Sequence, residues 1–285
     1  QLHRLGEAGG ARRRADRGRD VDHASRDAGN ERRRIAPVQD RHLTWEGCVN
    51  VRDLGGHPTE DGGETRFGAV VRADSVRGLS EEGWEALVAY GVRRIVDLRW
   101  HEELAEDPPR ELPVEVVHIP LLGEHEDAIG REIDALVRDV RDPALRRSTM
   151  YLEFLRRYPE NFAAAVAAVG RAPEGAALVH CAGGVDRTGL VSALLLRLAG
   201  VAPGHIANDY AASETNWAPR TALWIAEAED EDEREFRSFL ARMPPGAMLA
   251  VLEALEAEHG GVAGYLRTSG IADDDLDRAR GRLRA

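Results

Sequence analysis

One short segment constrains this chain more than any other: His180-Cys181-Ala182-Gly183-Gly184-Val185-Asp186-Arg187-Thr188-Gly189. It lies between the apolar run Ala176-Ala177-Leu178-Val179, which predicts a buried strand, and the run from Leu190 to Leu198, which predicts an apolar helix closed at Gly200. The order is therefore strand, glycine turn, helix, with a cysteine at the strand end and an arginine at the helix start.

A loop that wraps an oxyanion must turn its backbone N–H groups inward, and Gly183 and Gly184 are expected to supply the unusual dihedrals of such a nest. The following helix adds unpaired N–H groups and the positive end of its dipole, and the amides of Ala182, Val185 and Gly189 complete the set. A thiol placed in that field ionises readily, which makes Cys181 the expected nucleophile. The planar fork of Arg187 suits two phosphate oxygens, as lysine would not. Thr188 places a hydroxyl within expected reach of the sulfur, and His180 is read as a brace for the loop. An ordinary structural turn would not need all of these residue types at these offsets. A nucleotide-binding loop fits poorly, because the Gly-Lys-Ser/Thr element is missing and the chain contains no lysine at all.

The length, 285 residues with 43% hydrophobic and 31% charged, suits one core or at most two. No apolar stretch approaches membrane-spanning length and no signal-like apolar core is present, so the expectation is a soluble chain without a membrane span. Two cysteines, Cys48 and Cys181, make no disulfide framework and point to a reducing, cytoplasmic setting. The net charge of −12 disfavours nucleic acid as a partner. Residues 1–40, with Arg12-Arg13-Arg14 and Arg32-Arg33-Arg34 among Gly, Ala and Asp, lack apolar periodicity and read as a disordered extension, leaving 41–285 as the catalytic domain.

From Leu43 the pattern becomes regular. Strands are predicted at Ala69–Ala73, Val92–Leu98 and Val114–Ile119, and a helix begins after the cap Ser80 and carries Trp84, Leu87, Val88 and Tyr90. Helices are predicted over Ala128–Val140, Leu145–Arg157 and Asn161–Val169, and further helices after Pro203, interrupted by Pro219, Pro244-Pro245 and Gly260-Gly261. Trp84, Phe154 and Tyr210 are read as core. Alternating strands and helices predict an α/β fold with a central, mainly parallel sheet flanked by helices.

The stretch from Cys181 to Arg187, with Thr188-Gly189, resembles the signature of protein tyrosine phosphatases. Its fuller His-Cys-x-x-Gly-x-Asp-Arg-Thr-Gly form resembles a bacterial tyrosine/serine phosphatase group. Asn50-Val51-Arg52-Asp53-Leu54-Gly55-Gly56, Arg72-Ala73-Asp74, the strand from Gly91 to Arg99, Asn208-Asp209-Tyr210 and Gly264-Tyr265-Leu266 are similar to that group's other landmarks. The resemblance runs from about Trp45 to the end. It implies a tyrosine phosphatase-like fold with a helical lid or insertion before the active-site strand and a helical C-terminal region. It also implies a phosphocysteine mechanism with no metal or cofactor, acting on phosphotyrosine and on phosphoserine, phosphothreonine or phosphoinositides. The group usually carries lysine where this chain has Val185, which weakens the case for a lipid headgroup unless Arg52, Arg72 or Arg99 faces the site.

A leaving oxygen needs a proton, and two carboxyl groups are candidates for the donor. Asp186 sits within the loop and must be protonated when it faces a phosphate, or else turn outward to pair with Arg52 or Arg99. Glu124 follows the third strand, where the resemblance also places an acidic residue. Asn50, Arg52, Asp53, Asp97 and Arg99 are expected near the sheet's carboxyl edge, in support of the loop rather than in the chemistry. The favoured reading is a phosphomonoester hydrolase acting on a phosphorylated protein or small phosphomonoester. Its alternatives are a phosphoinositide phosphatase and a phosphate-binding protein without turnover. An arsenate reductase would call for more cysteines than Cys48 supplies.

Overall fold

A computed structural model describes residues 40–105, 107 and 114–284. The expected extension over 1–40 lies, apart from Asp40, outside the described residues. In chain order the elements are β1 (Arg52–Asp53), β2 (Val70–Ala73), α1 (Glu81–Ala89), β3 (Val92–Asp97), α2 (His101–Leu104), β4 (Glu115–His118), α3 (Asp127–Val137), α4 (Pro143–Arg157), α5 (Pro159–Gly170), β5 (Ala176–His180), α6 (Asp186–Leu198), α7 (Pro203–Ala226), α8 (Glu231–Leu240), α9 (Pro245–His259), α10 (Val262–Thr268) and α11 (Asp273–Leu283).

The sheet runs β1-β2-β5-β3-β4, with only the β1–β2 pair antiparallel. Its central strand is β5, the one that ends at His180. Alternation along β5 sends Ala177 and Val179 into the larger apolar cluster, with α5, α6 and α9 to α11, and Ala176 and Leu178 into a second cluster with Trp45, Trp84 and Leu87. A strand buried on both faces must be apolar at every position, which is why the run before Cys181 shows no polar alternation. Parallel pairing with β2 and β3 brings His180 beside both Ala73 and Asp97. Residues 74–75 and 98–99 therefore leave the sheet at the same edge as the loop.

Most predicted elements are present with shifted ends. Ser80 caps α1, its hydroxyl accepting from the Gly83 N–H at 3.1 Å. The helix after the loop begins at Asp186, one residue before the arginine expected at its start, and its first turn is polar. Pro219 does not interrupt the C-terminal region but lies within α7. That stretch is exposed, so the carbonyl left without a donor is open to solvent. Pro245 opens α9 at its first turn, and Gly260, at φ 66°, closes it. Trp84 and Tyr210 are buried as expected, and Phe154 is half-buried at the edge of the core.

Candidate active site

The loop from Cys181 to Arg187 is shaped from outside, by donors that seize its carbonyls. The Ala182 carbonyl accepts from the Ser75 N–H at 2.9 Å. Gly183 accepts from Asn50 Nδ2 at 3.1 Å and Trp217 Nε1 at 2.8 Å, and Gly184 from Asn50 Nδ2 at 3.1 Å and Arg72 Nη2 at 2.8 Å. A trans peptide points its N–H away from its C=O, so these outward carbonyls turn the amides of Gly183, Gly184 and Val185 to the opposite side. The N-cap of α6, Val185, offers no side-chain acceptor, which leaves the first N–H groups of the helix available to an anion.

Of the two glycines, only Gly184 has a positive φ, at 65°. A Cβ there would lie 2.4 Å from the Ala73 carbonyl oxygen, so the close approach of β2 requires glycine as much as the dihedral does. Gly183 has no positive φ, and its carbonyl is held by Asn50 and Trp217.

Behind the loop stands a buried ion network. Asp209 on α7 receives Arg52 Nε at 2.9 Å and Arg72 Nη1 at 2.7 Å, and Arg52 also donates to the Asn50 side-chain carbonyl at 2.7 Å. Burial would push the Asp209 carboxyl up, but the two guanidinium groups hold it well below the ordinary carboxylate range. Burial, with Arg52 alongside, lowers Arg72 to about 10. Arg52 and Arg72 are therefore committed to Asp209, and both reach the loop, Arg72 at the Gly184 carbonyl and Arg52 through Asn50.

Arg99 is likewise committed. It binds Asp97 at 2.7 Å and Asp107 at 2.9 Å, so its charge does not replace the lysine missing at Val185. Asp53 holds a turn, accepting from the Gly55 N–H at 2.5 Å and the Gly68 N–H at 2.8 Å, and from the Tyr90 hydroxyl. His180 is fully buried, its Nδ1 3.2 Å from the Cys181 carbonyl, and burial lowers it below the ordinary histidine value. Its Nε2 lies 3.5 Å from Asp97 without a hydrogen bond, which fits a neutral ring.

Cys181 is 3% exposed at the base of the loop. The Arg187 guanidinium lies 4.6 Å over the Trp100 ring and grips the Glu103 carboxylate through both nitrogens, at 2.6 and 3.1 Å. A pocket of about 370 Å³ opens beside Ala182, lined in part by Arg77, Arg99, Glu103, Trp217 and Arg220. A larger cavity of about 780 Å³ runs along α5 and contains no residue of the loop. Thr188 is buried, and its hydroxyl has no hydrogen-bond partner among the described residues. Cys48 donates to the Ser75 carbonyl, and burial together with Asp74 pushes its thiol far up, which makes it inert.

The two proton-donor candidates have different surroundings. Asp186 turns neither to Arg52 nor to Arg99, because those are held by Asp209 and by Asp97 with Asp107. It accepts instead from Tyr151 at 2.5 Å and Arg147 at 2.8 Å, both on α4. Glu124 is 72% exposed, its carboxylate 3.9 Å from His101. Among the described residues no cluster of His, Cys, Asp and Glu is arranged to hold a metal, and no helix is long and apolar enough to cross a membrane.

A cysteine follows a strand end, an arginine stands at the start of the next helix, and the carbonyls between them are held from outside, which is the arrangement an anion-binding loop requires. The model of the tyrosine phosphatase family matches residues 43–285. The chain belongs to the tyrosine phosphatase family. It is 28% identical over 225 residues to a tyrosine-protein phosphatase of Nostoc commune, covering 75% of this chain and 74% of that protein. It is 27% identical over 279 residues to the triple specificity protein phosphatase PtpB of Mycobacterium tuberculosis, covering 83% of this chain and 97% of that one. The five-stranded, mainly parallel sheet with helices on both faces is the fold expected of a tyrosine phosphatase.

Sequence reasoning missed Trp100, Glu103, Arg147, Tyr151, Trp217 and Asp209 as contributors to this phosphatase site. Asp209 and Arg72 were legible as parts of landmarks; their pairing was not.

Proposed function

We propose that this tyrosine phosphatase hydrolyses phosphomonoesters through Cys181, with 41–285 as its catalytic domain. The Cys181 thiolate attacks phosphorus while Arg187 and the inward amides hold the three equatorial oxygens. Asp186 gives the leaving oxygen its proton, and water then releases phosphate from the sulfur. Glu103 stands where a phosphate would bind Arg187 and must yield that fork to substrate. Asp186 is favoured over Glu124 as donor because it is one residue from Arg187 and held from behind, whereas Glu124 is exposed on a surface turn.

The observation that carries the reading is the outward capture of three successive loop carbonyls, for which a passive turn has no need. The substrates are phosphotyrosine and phosphoserine or phosphothreonine in proteins, or small phosphomonoesters, met in a reducing cytoplasm. Val185 packs into the main apolar cluster and adds no charge at the loop edge, which favours these over phosphoinositides. Turnover of a chromogenic aryl phosphate under reducing conditions, lost in Cys181→Ser, is the expected result; no turnover by the unmodified protein would favour a phosphate-binding module. Val185→Lys should raise phosphoinositide turnover more than phosphopeptide turnover, and equal changes would overturn the substrate preference.

A further inference from the structure

The Asp186 carboxyl has two unlike sides. Its Oδ1 accepts from the Tyr151 hydroxyl at 2.5 Å and from Arg147 Nη1 at 2.8 Å, while Oδ2 accepts no hydrogen bond among the described residues. The side chain is 42% exposed, although Tyr151 is completely buried. One oxygen is thus anchored by two donors, and the other is left without one on a side chain that is partly exposed.

The anchor is itself fixed. Tyr151 lies 2.9 Å from the Tyr210 hydroxyl, with the two rings edge-to-face. Tyr210 is also the closest neighbour of a Cβ added at Gly189, in the first turns of α6. Arg147 spends its remaining donors on the Arg242 carbonyl at 2.6 Å and the Leu240 carbonyl at 2.7 Å, at the end of α8, and on the Tyr151 hydroxyl at 3.3 Å. A guanidinium with this many acceptors cannot follow Asp186 if the carboxyl swings. It sets where the carboxyl must be.

We propose that Arg147 and Tyr151 are positioning residues for proton transfer, holding Oδ1 so that Oδ2 presents its proton to the leaving oxygen. This rests on the assignment of Asp186 as the donor. As the S–P bond forms and the P–O bond breaks, the bonding pair stays on the leaving oxygen, which takes the Oδ2 proton. The carboxylate left behind is stabilised at Oδ1 by a cation and a hydroxyl donor. In the second half the attacking water returns its proton to the same carboxylate, the P–S bond breaks and the thiolate is restored. Protons balance over the cycle without another titrating group.

A mispositioned donor injures esters with poor leaving groups and spares activated ones, whereas general damage to the site lowers both. The test is the ratio of kcat/KM for a dinitrophenyl phosphate to kcat/KM for phenyl phosphate, in the unmodified full chain and in Tyr151→Phe, Arg147→Met and Asp186→Asn. Asp186→Asn should raise the ratio about 10²-fold or more, as expected for loss of a general acid. Tyr151→Phe and Arg147→Met should raise it roughly tenfold or more, since small misplacements of a reacting group cost rates of this order. If Arg147→Met fails to fold because the α8 carbonyls lose their donor, Tyr151→Phe, which keeps the ring, tests the same claim. An unchanged ratio in Asp186→Asn would overturn the donor assignment itself. A raised ratio in Asp186→Asn with an unchanged one in Tyr151→Phe would overturn the positioning role alone.

Discussion

Arg187 holds Glu103 in a two-point contact, at 2.6 and 3.1 Å, in the geometry a phosphate would need from the same fork. Burial would raise the Glu103 carboxyl, but the hydrogen bonds from Arg187 and from the Trp100 N–H bring it below the ordinary value, so it is ionised at neutral pH. An incoming phosphate therefore displaces a carboxylate. Glu103→Gln keeps the shape and removes the charge, and a partly exposed pair of this kind contributes about 1 kcal/mol. Competitive inhibition by inorganic phosphate should tighten by roughly fivefold in that variant. Unchanged or weaker inhibition would mean that Glu103 does not compete with the anion.

Asp209 supports the loop through Arg72, which reaches from its carboxylate to the Gly184 carbonyl. Asp209→Asn leaves two buried guanidinium groups short of a counter-charge and should cost about 3–5 kcal/mol of stability. The sign with pH follows from the lowered carboxyl. Its contribution is complete above the unfolded value near ~4 and is lost as pH falls further, towards the folded value. Urea denaturation at neutral pH should show the full difference between the two proteins. Below about pH 4 the difference should narrow, and one that widens there would contradict the assignment.

Gly184 is confined by a positive φ and by the Ala73 carbonyl 2.4 Å from any Cβ. At Gly183 an added Cβ meets only Trp217 and Val185, both at 3.8 Å. Gly184→Ala must shift the loop away from β2 and should lower kcat/KM about 10²-fold or more. The loss should exceed that of Gly183→Ala at least tenfold, by the same argument. Equal losses would mean that both glycines serve by dihedral freedom.

The sequence made legible what is local. The apolar run before Cys181, the glycine turn and the polar start of α6 stand side by side in the chain, and the positions of the nucleophile and arginine follow from their order. The capping of α1 by Ser80 and the strands β2 to β5 were legible for the same reason, since caps and periodicity are read over a few residues. What shapes the site from outside was not. Trp217 lies 34 residues from the Gly183 carbonyl it binds, Arg147 lies 39 from Asp186, and Glu103 lies 84 from Arg187. An arginine, a glutamate or a tryptophan on an amphipathic helix looks the same in sequence whether it meets solvent or a loop carbonyl. Arg52 shows the converse: it lies near the loop as expected, but it is consumed by Asp209, 157 residues away, a carboxylate that no local pattern reveals.

The central claim is that Cys181 carries the phosphoryl group during turnover. Rapid acid quenching of the full chain during turnover of an aryl phosphate, followed by mass spectrometry of the peptide that contains Cys181, tests it directly. One added phosphoryl group on that peptide, absent in Cys181→Ser and accumulating further in a variant slowed in the hydrolytic half-reaction, is the predicted result. Turnover at an undiminished rate in Cys181→Ser, or phosphate carried on any other residue, would contradict the account.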